Sequence, residues 1–385
     1  MKYSYLFGSL FAIVLLFSTV TSKAQQTDDL LNVLIKKGVL TEHEADSLRA
    51  DAAIKEQQKR EKEKANQHGV YIGSKALQLS GLLQTEYEGF EQKSANNTFL
   101  LHRARLDVKG DISGNWSYEV YTEFAGVTPK LLDAYTTYKI ADFLKVTAGQ
   151  FKVPFSLESL ISDSQLEFID RSQVVNALSG RSTDVIGNQN GRDIGIQIGG
   201  NLVKLDNKQY LFDYSFALVN GAGYDVTTDN NGHKDIAGRL SIHPINNLVI
   251  SGDFYNGQAY YTLAGAKTAT NNKRNREGID ARYVIGGLSL QAEYDKGTDG
   301  TIKRDGWYGQ ASYFVLPKHL QLSAKYDTYD PNTIASNDAT NIYTSAASWY
   351  FNEWAKFTLN YLVKHEDAPA QVPNNIFEAQ LQLTF

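Results

Sequence analysis

From Tyr71 to Phe385 the chain alternates apolar and polar residues with a period of two. Leu288, Leu290, Ala292 and Tyr294 alternate with Ser289, Gln291, Glu293 and Asp295. Leu320, Leu322, Ala324 and Tyr326 alternate with Gln321, Ser323, Lys325 and Asp327, and the chain ends the same way from Phe377 to Phe385. Successive side chains of a strand point to opposite faces, so each stretch predicts a strand with one apolar and one polar, charged face. Sixteen such strands are predicted. They begin near Gln78, Leu100, Trp116, Leu131, Leu144, Asp193, Gln209, Asp235, Leu248, Glu277, Leu288, Gly306, Leu320, Asn341, Lys356 and Asn375.

The connections alternate in kind. Ser113-Gly114-Asn115, Asn246-Asn247, Gly286-Gly287 and Pro317-Lys318-His319 predict tight turns. Between them lie longer loops rich in Asn, Asp, Gly and Thr, such as Tyr224–His233, Tyr260–Asn275 and Pro331–Thr340. An even strand number, with short turns at one end and long loops at the other, predicts an all-β transmembrane barrel over residues 69–385, of about 16 antiparallel strands. No stretch after residue 24 reaches the roughly 18 apolar residues of a membrane helix, and a barrel needs none. The 23 Tyr, 18 Phe and 4 Trp suit aromatic girdles at the two interfaces. A soluble β-sandwich can be as aromatic, but it requires neither even numbering nor a terminal Phe.

Before Tyr71 the period is helical. Lys2, the apolar run Leu6–Val20 and the small residues of Ser22-Lys23-Ala24 predict a signal peptide, residues 1–24, cleaved before Gln25. Residues 25–68 predict a short periplasmic α-helical segment and linker. Thr27-Asp28-Asp29 caps a stripe of Leu30, Leu31 and Leu34, Gly38 stops it, and Thr41-Glu42-His43-Glu44 opens a second helix. From Lys55 to Lys64 the segment reads either as a solvated helix fading into a linker or as a short periplasmic coiled coil that helps trimerise the barrel, and its apolar repeat spans too few heptads to set an oligomer state. Loss of residues 1–24 removes Lys2 and Lys23 and no acid, moving the formal charge from −5 to −7. That balance argues against a nucleic-acid partner. With no Cys, neither a lipoprotein anchor nor a disulfide framework is possible.

One connection stands apart. From Gly149 to Gly195 the chain runs GQFKVPFSLESLISDSQLEFIDRSQVVNALSGRSTDVIGNQNGRDIG, between the fifth and sixth strands. A connection of about 40 residues is far above the usual length and is normally functional. In a barrel such a loop is expected to fold inward over residues 150–191 and constrict the lumen.

Several stretches together resemble one family: Leu101–Lys109 (LHRARLDVK), Leu132–Tyr135 (LDAY), Gly149–Glu158 (GQFKVPFSLE), Asp170-Arg171-Ser172, Gly191–Gly195 (GRDIG), Val219–Gly223 (VNGAG) and Ala237–Leu240 (AGRL). Their order and spacing resemble the phosphate-selective porins O and P. The resemblance implies a porin in the outer membrane of a Gram-negative bacterium, set among its lipid and lipopolysaccharide and assembled as a homotrimer. It implies passive diffusion of small anionic solutes such as phosphate, guided by Arg and Lys in the lumen. Strand parity turns Arg103, Arg105, Lys109, Arg239 and Arg282 inward, and Lys152, Arg171, Arg181 and Arg192 come from the long loop and its ends. Guanidinium matches phosphate bidentately and Lys supplies a mobile charge.

The same parity turns Asp107, Glu119, Glu123, Asp133, Asp213, Asp253, Asp280, Glu293, Asp295, Asp327 and Glu378 inward. A mixed lumen predicts modest anion preference without tight phosphate capture. It leaves open a general, weakly selective porin, or a structural or adhesin barrel with no transport role. No cofactor or metal is expected. An enzyme is not expected either, because the seven His are scattered and none sits in a hydrolytic motif.

Overall fold

The computed structural model describes residues 37, 70–71, 76–180, 191–207, 209–262, 267–368 and 371–385. Lys37 apart, the expected signal peptide, helical segment and coiled coil lie outside the described residues, as does Arg181.

A two-residue strand, β1 (Val70–Tyr71), precedes sixteen longer ones. The first eight are β2 (Gln78–Phe90), β3 (Thr98–Asp111), β4 (Trp116–Glu123), β5 (Lys130–Ala141), β6 (Leu144–Lys152), β7 (Arg192–Lys204), β8 (Tyr210–Val219) and β9 (Asp235–Ile242). The others are β10 (Leu248–Tyr261), β11 (Thr270–Ile285), β12 (Leu288–Asp299), β13 (Ile302–Leu316), β14 (Leu320–Asp330), β15 (Thr340–Tyr350), β16 (Ala355–Glu366) and β17 (Ile376–Thr384). Each of β2–β17 pairs antiparallel with its sequence neighbours. The ring closes where β17 meets β2, from Ile376 opposite Phe90 to Thr384 opposite Leu82. Beyond that seam Gly81 N donates to Phe385 O at 2.7 Å, and β1 continues along β2. Among the described residues no helix is long and apolar enough to cross a membrane.

The period-two pattern explains the wall. On β12, Leu290 and Tyr294 are exposed on the outer face while Gln291, Glu293 and Asp295 are buried. Outer positions on other strands, such as Leu322, Tyr361 and Phe377, are likewise exposed. Closure gives each of β2–β17 a partner on both sides, which is what a spanning β-structure requires in lipid.

Two boundaries differ from the sequence pattern. β11 begins at Thr270 rather than near Glu277, and β13 at Ile302 rather than near Gly306. The loop expected over Tyr260–Asn275 therefore shrinks to residues 262–269. At their outer ends these strands carry polar residues on both faces, such as Asn271 and Lys273 outside beside Asn272 and Arg274 inside. Ladder hydrogen bonds need no apolar side chain, so the strand continues where the hydropathy signal stops.

Of the 39 residues between β6 and β7, the described ones are not structureless. They hold α1 (Leu157–Leu160), a 3-10 turn (Asp163–Gln165) and α2 (Gln173–Leu178). At the root, Phe151, Val153 and Phe155 pack on Ala217, Val219, Ala237 and Tyr255 of β8–β10. Further along, Val174, Val175, Ala177 and Leu178 pack on Tyr308 of β13 and Tyr329 of β14.

Candidate functional site

The segment from Val153 to Gly180 meets the wall on opposite sides. Ser156 N donates to Asp253 of β10 at 3.1 Å, and Leu157 N and Glu158 N donate to Glu293 of β12 at 2.9 and 3.1 Å. Asp163 reaches β3, Ser164 O accepts from Gln382 of β17 at 3.1 Å, and Leu166 O accepts from Lys356 of β16 at 2.9 Å. Ser312 of β13 donates to Glu167 at 2.6 Å, and Lys325 of β14 to Asp170 O at 3.0 Å. All these wall partners lie on the inward faces of their strands, so the segment crosses the interior.

Wall charges, with Arg171 and Glu158 of the loop itself, complete the two short helices. A helix leaves unpaired N–H groups at its start and unpaired C=O groups at its end, with matching partial charges. Glu293 takes the first N–H groups of α1, while Lys152 and Arg171 take carbonyls at its end: Lys152 Nζ to Leu160 O at 3.0 Å, Arg171 Nε to Glu158 O at 3.2 Å. At α2, Glu158 accepts Ser172 N and Asp327 accepts Gln173 N, each at 2.8 Å. Arg276 of β11 donates to Leu178 O at 2.9 Å. Many inward charges therefore hold the loop.

Three of the predicted bases come together. Asp163 is bracketed by Arg103 (3.4 Å), Arg105 and Arg171, and Arg105 also donates to Glu123 at 2.6 Å while lying 5.5 Å from the Tyr121 ring centre. Arg103 reaches this cluster through a bulge. Gln84 faces Arg103 and Thr85 faces Leu101, so His102 is the extra residue. Both His102, which contacts Glu86, and Arg103, which donates to Gln84 at 2.7 Å, turn inward. Parity alone would have sent His102 to the lipid side.

The other bases are dispersed. Arg192 pairs with Asp133, Arg239 with Asp253 and Asp280, and Lys109 with Asp107 at 2.9 Å. Arg282 has a buried Nε that donates no hydrogen bond. Sequence reasoning missed Arg274, Arg276 and Arg304, which are inward and buried on β11 and β13, and Lys325 and Lys356, which hold the loop. The signal for the last two was present in the alternation of β14 and β16. That for the arginines was hidden by polar residues on both faces.

Outside the wall two carboxyls are held low, at about 2. Lys139, with Tyr210 at 2.7 Å, does this for Asp142 in the turn after β5. Lys234, with the N–H groups of Asn231 and Gly232 at 2.8 Å, does it for Asp229 between β8 and β9. Among the described residues no group of three or more His, Cys, Asp or Glu is spaced to hold a metal ion.

The sequence profile described as phosphate-selective porin O and P matches residues 78–385. No curated protein sequence matches the chain. Among solved structures, an anion-selective porin from Comamonas acidovorans superposes with TM-score 0.60 at 16% identity, covering 80% of this chain and 99% of that one. A trimer form of OmpT, an outer membrane protein of Vibrio cholerae, gives TM-score 0.56 at 13% identity over 80% and 99%. The outer membrane channel DcaP of Acinetobacter baumannii gives 0.55 at 11% over 83% and 100%. These likenesses concern the fold.

Proposed function

The chain belongs to the phosphate-selective porin O and P family and is an outer-membrane β-barrel porin; on that premise we propose that it passes small anionic solutes, phosphate among them, with modest preference and no tight capture. One observation carries this. Around Asp163 the direct ion pairs join three guanidiniums, Arg103, Arg105 and Arg171, to two carboxylates, Asp163 and Glu123, an excess of one positive charge among these contacts where the loop crosses to β3, with Asp170 acting on Arg103 from further away. Rings of Arg and Lys select anions, and fields at a narrow, poorly solvated level are least screened. The anion-selective neighbour from Comamonas acidovorans supports the sign.

A general, weakly selective pore is the alternative, and the pairing of Arg192 and Arg239 with acids favours it. Reversal potentials in planar bilayers separate the two. Under a potassium chloride gradient, and again in potassium phosphate, the anion branch is expected to dominate; a cation-selective potential would refute the proposal.

The trimer form of the Vibrio cholerae structure supports a homotrimer here. Residues 25–68 belong on the periplasmic side and assist assembly without being essential to it. Native mass spectrometry of the full chain and of a variant lacking residues 25–68 is expected to give trimers in both cases. Monomers from the full chain would refute the assembly.

A further inference from the structure

The wall that receives α1 holds more buried negative charge than the protein balances. Gly278 on β11 stands between Asp253 on β10 and Asp295 on β12, its register partner on either side. Having no side chain, it leaves a gap into which both carboxylates lean. A Cβ at Gly278 would meet Asp253 Oδ1 at 2.2 Å and Asp295 Oδ1 at 2.5 Å. Asp295 is 0% exposed and Asp253 7%. Asp253 Oδ1 and both oxygens of Asp295 accept no hydrogen bond.

The neighbouring charges do not offset them. Arg239 donates to Asp253 Oδ2 and to both oxygens of Asp280, at 2.7 and 2.8 Å. Glu293, two residues from Asp295 on the same face, takes Leu157 N, Glu158 N and the Tyr308 hydroxyl. Four carboxylates thus share one guanidinium, Asp295 has the Glu293 carboxyl against it rather than a basic group, and the two oxygens above Gly278 both lie within 2.5 Å of the place a Cβ would take. An ionised carboxylate buried without a counter-charge is strongly disfavoured.

We propose that Asp253 and Asp295 hold a hard divalent cation, Ca²⁺ or Mg²⁺, in the gap above Gly278. Ca²⁺ binds carboxylate oxygens at about 2.3–2.6 Å, and both ions complete their shells with water and carbonyl oxygen where only one or two carboxylates are supplied. The ion joins β10, β11 and β12 at the level where Asp253 and Glu293 receive the start of α1, so it neutralises the docking wall of the loop. The site is independent of the anion preference proposed above, since its ligands lie outside the Asp163 cluster.

The test uses the full chain, refolded in detergent without lipopolysaccharide and stripped with EDTA. Equilibrium dialysis against Ca²⁺ is expected to show one saturable ion per chain, at a Kd on the order of 0.1–1 mM, as for weak, hydrated sites. Asp295→Asn and Gly278→Ala should each weaken it at least tenfold, the first by removing a charge, the second by filling the gap. Crystals of the unaltered protein soaked in Tb³⁺ give the position without any substitution. An anomalous peak beside Asp253 Oδ1 and Asp295 Oδ1 is expected. Absence of saturable uptake, binding unchanged in both variants, or a peak only elsewhere would overturn the site and leave a shared proton or water between the carboxylates. If both variants fail to fold, the crystal position decides alone.

Discussion

The Arg192 guanidinium meets the Asp133 carboxylate as a fork, with Nε donating to Oδ1 at 2.9 Å and Nη2 to Oδ2 at 2.7 Å, both side chains buried. Arg192 is the first residue of β7, where the long loop rejoins the wall, and Asp133 lies two strands away on β5. Breaking a buried pair by removing one partner costs about 3–5 kcal/mol, because the other charge is left uncompensated. Asp133→Asn should therefore lower the temperature at which the folded barrel disappears on unheated gels. Arg192→Lys should cost part of that, keeping the charge and losing the fork. An unchanged transition in Asp133→Asn would show that the pair carries no stability.

Selectivity should respond in opposite senses to two changes at one cluster. Arg103→Gln with Arg105→Gln removes the positive excess beside Asp163, and the reversal potential should move towards cations in a folded barrel. Asp163→Asn leaves three guanidiniums with less negative charge and should move it towards anions. If both variants keep the unaltered potential, these arginines serve only as partners of the acids around them.

Gly149 opens the loop's β6 end with φ at +132°, and a Cβ there would meet Ala134 O at 2.2 Å. Its register partner Gly195 leaves as little room, with Leu218 O at 2.1 Å. A side chain at Gly149 has to accept a conformation costing about 1–3 kcal/mol before any clash is relieved. Gly149→Ala should reduce refolding yield and heat resistance, whereas Gly114→Ala, in an open turn, should not. Equal heat resistance in the two variants would rule out close backbone approach as the reason for this glycine.

Asp229 supplies a pH dependence outside the membrane. Its carboxyl sits at about 2 in the fold, held there by Lys234 and two backbone N–H groups, against roughly 3.9 in an unfolded chain. A lowered value means the stabilisation is complete above the unfolded value and is lost as pH falls towards 2. Cleavage of the segment between β8 and β9 by pepsin, normalised at each pH to cleavage of an unfolded peptide, should therefore rise as pH drops from about 4 to 2. In Asp229→Asn that acid dependence should be absent. A similar normalised rise in the variant would move the cause elsewhere.

Much of this architecture was legible in the alternation of residues. Glu293 and Asp295 were placed inward by parity alone, and so were Arg103 and Arg105, because one lipid-facing row fixes the opposite row. Parity failed at His102, since a bulge adds a residue that no hydrophobic pattern marks. It also failed at Thr270–Arg276, where the strand passes beyond any apolar neighbour. The loop's length was legible, but its partners were not. That Lys356 would reach Leu166 O, or that Glu293 would cap α1, depends on contacts 190 and more than 130 residues apart. Periodicity carries no information at that range.

Asp163 and Ser164 are adjacent in the chain, yet one grips Arg105 on β3 and the other receives Gln382 from β17. Between those strands runs β2, the first of the barrel, whose far side is the seam with the last. The middle of the polypeptide thus acts as a cross-tie between its two ends. A tube slit along that seam would still be buckled from within. Gln382 lies on the final strand, so the loop is tied to the very strand that shuts the ring.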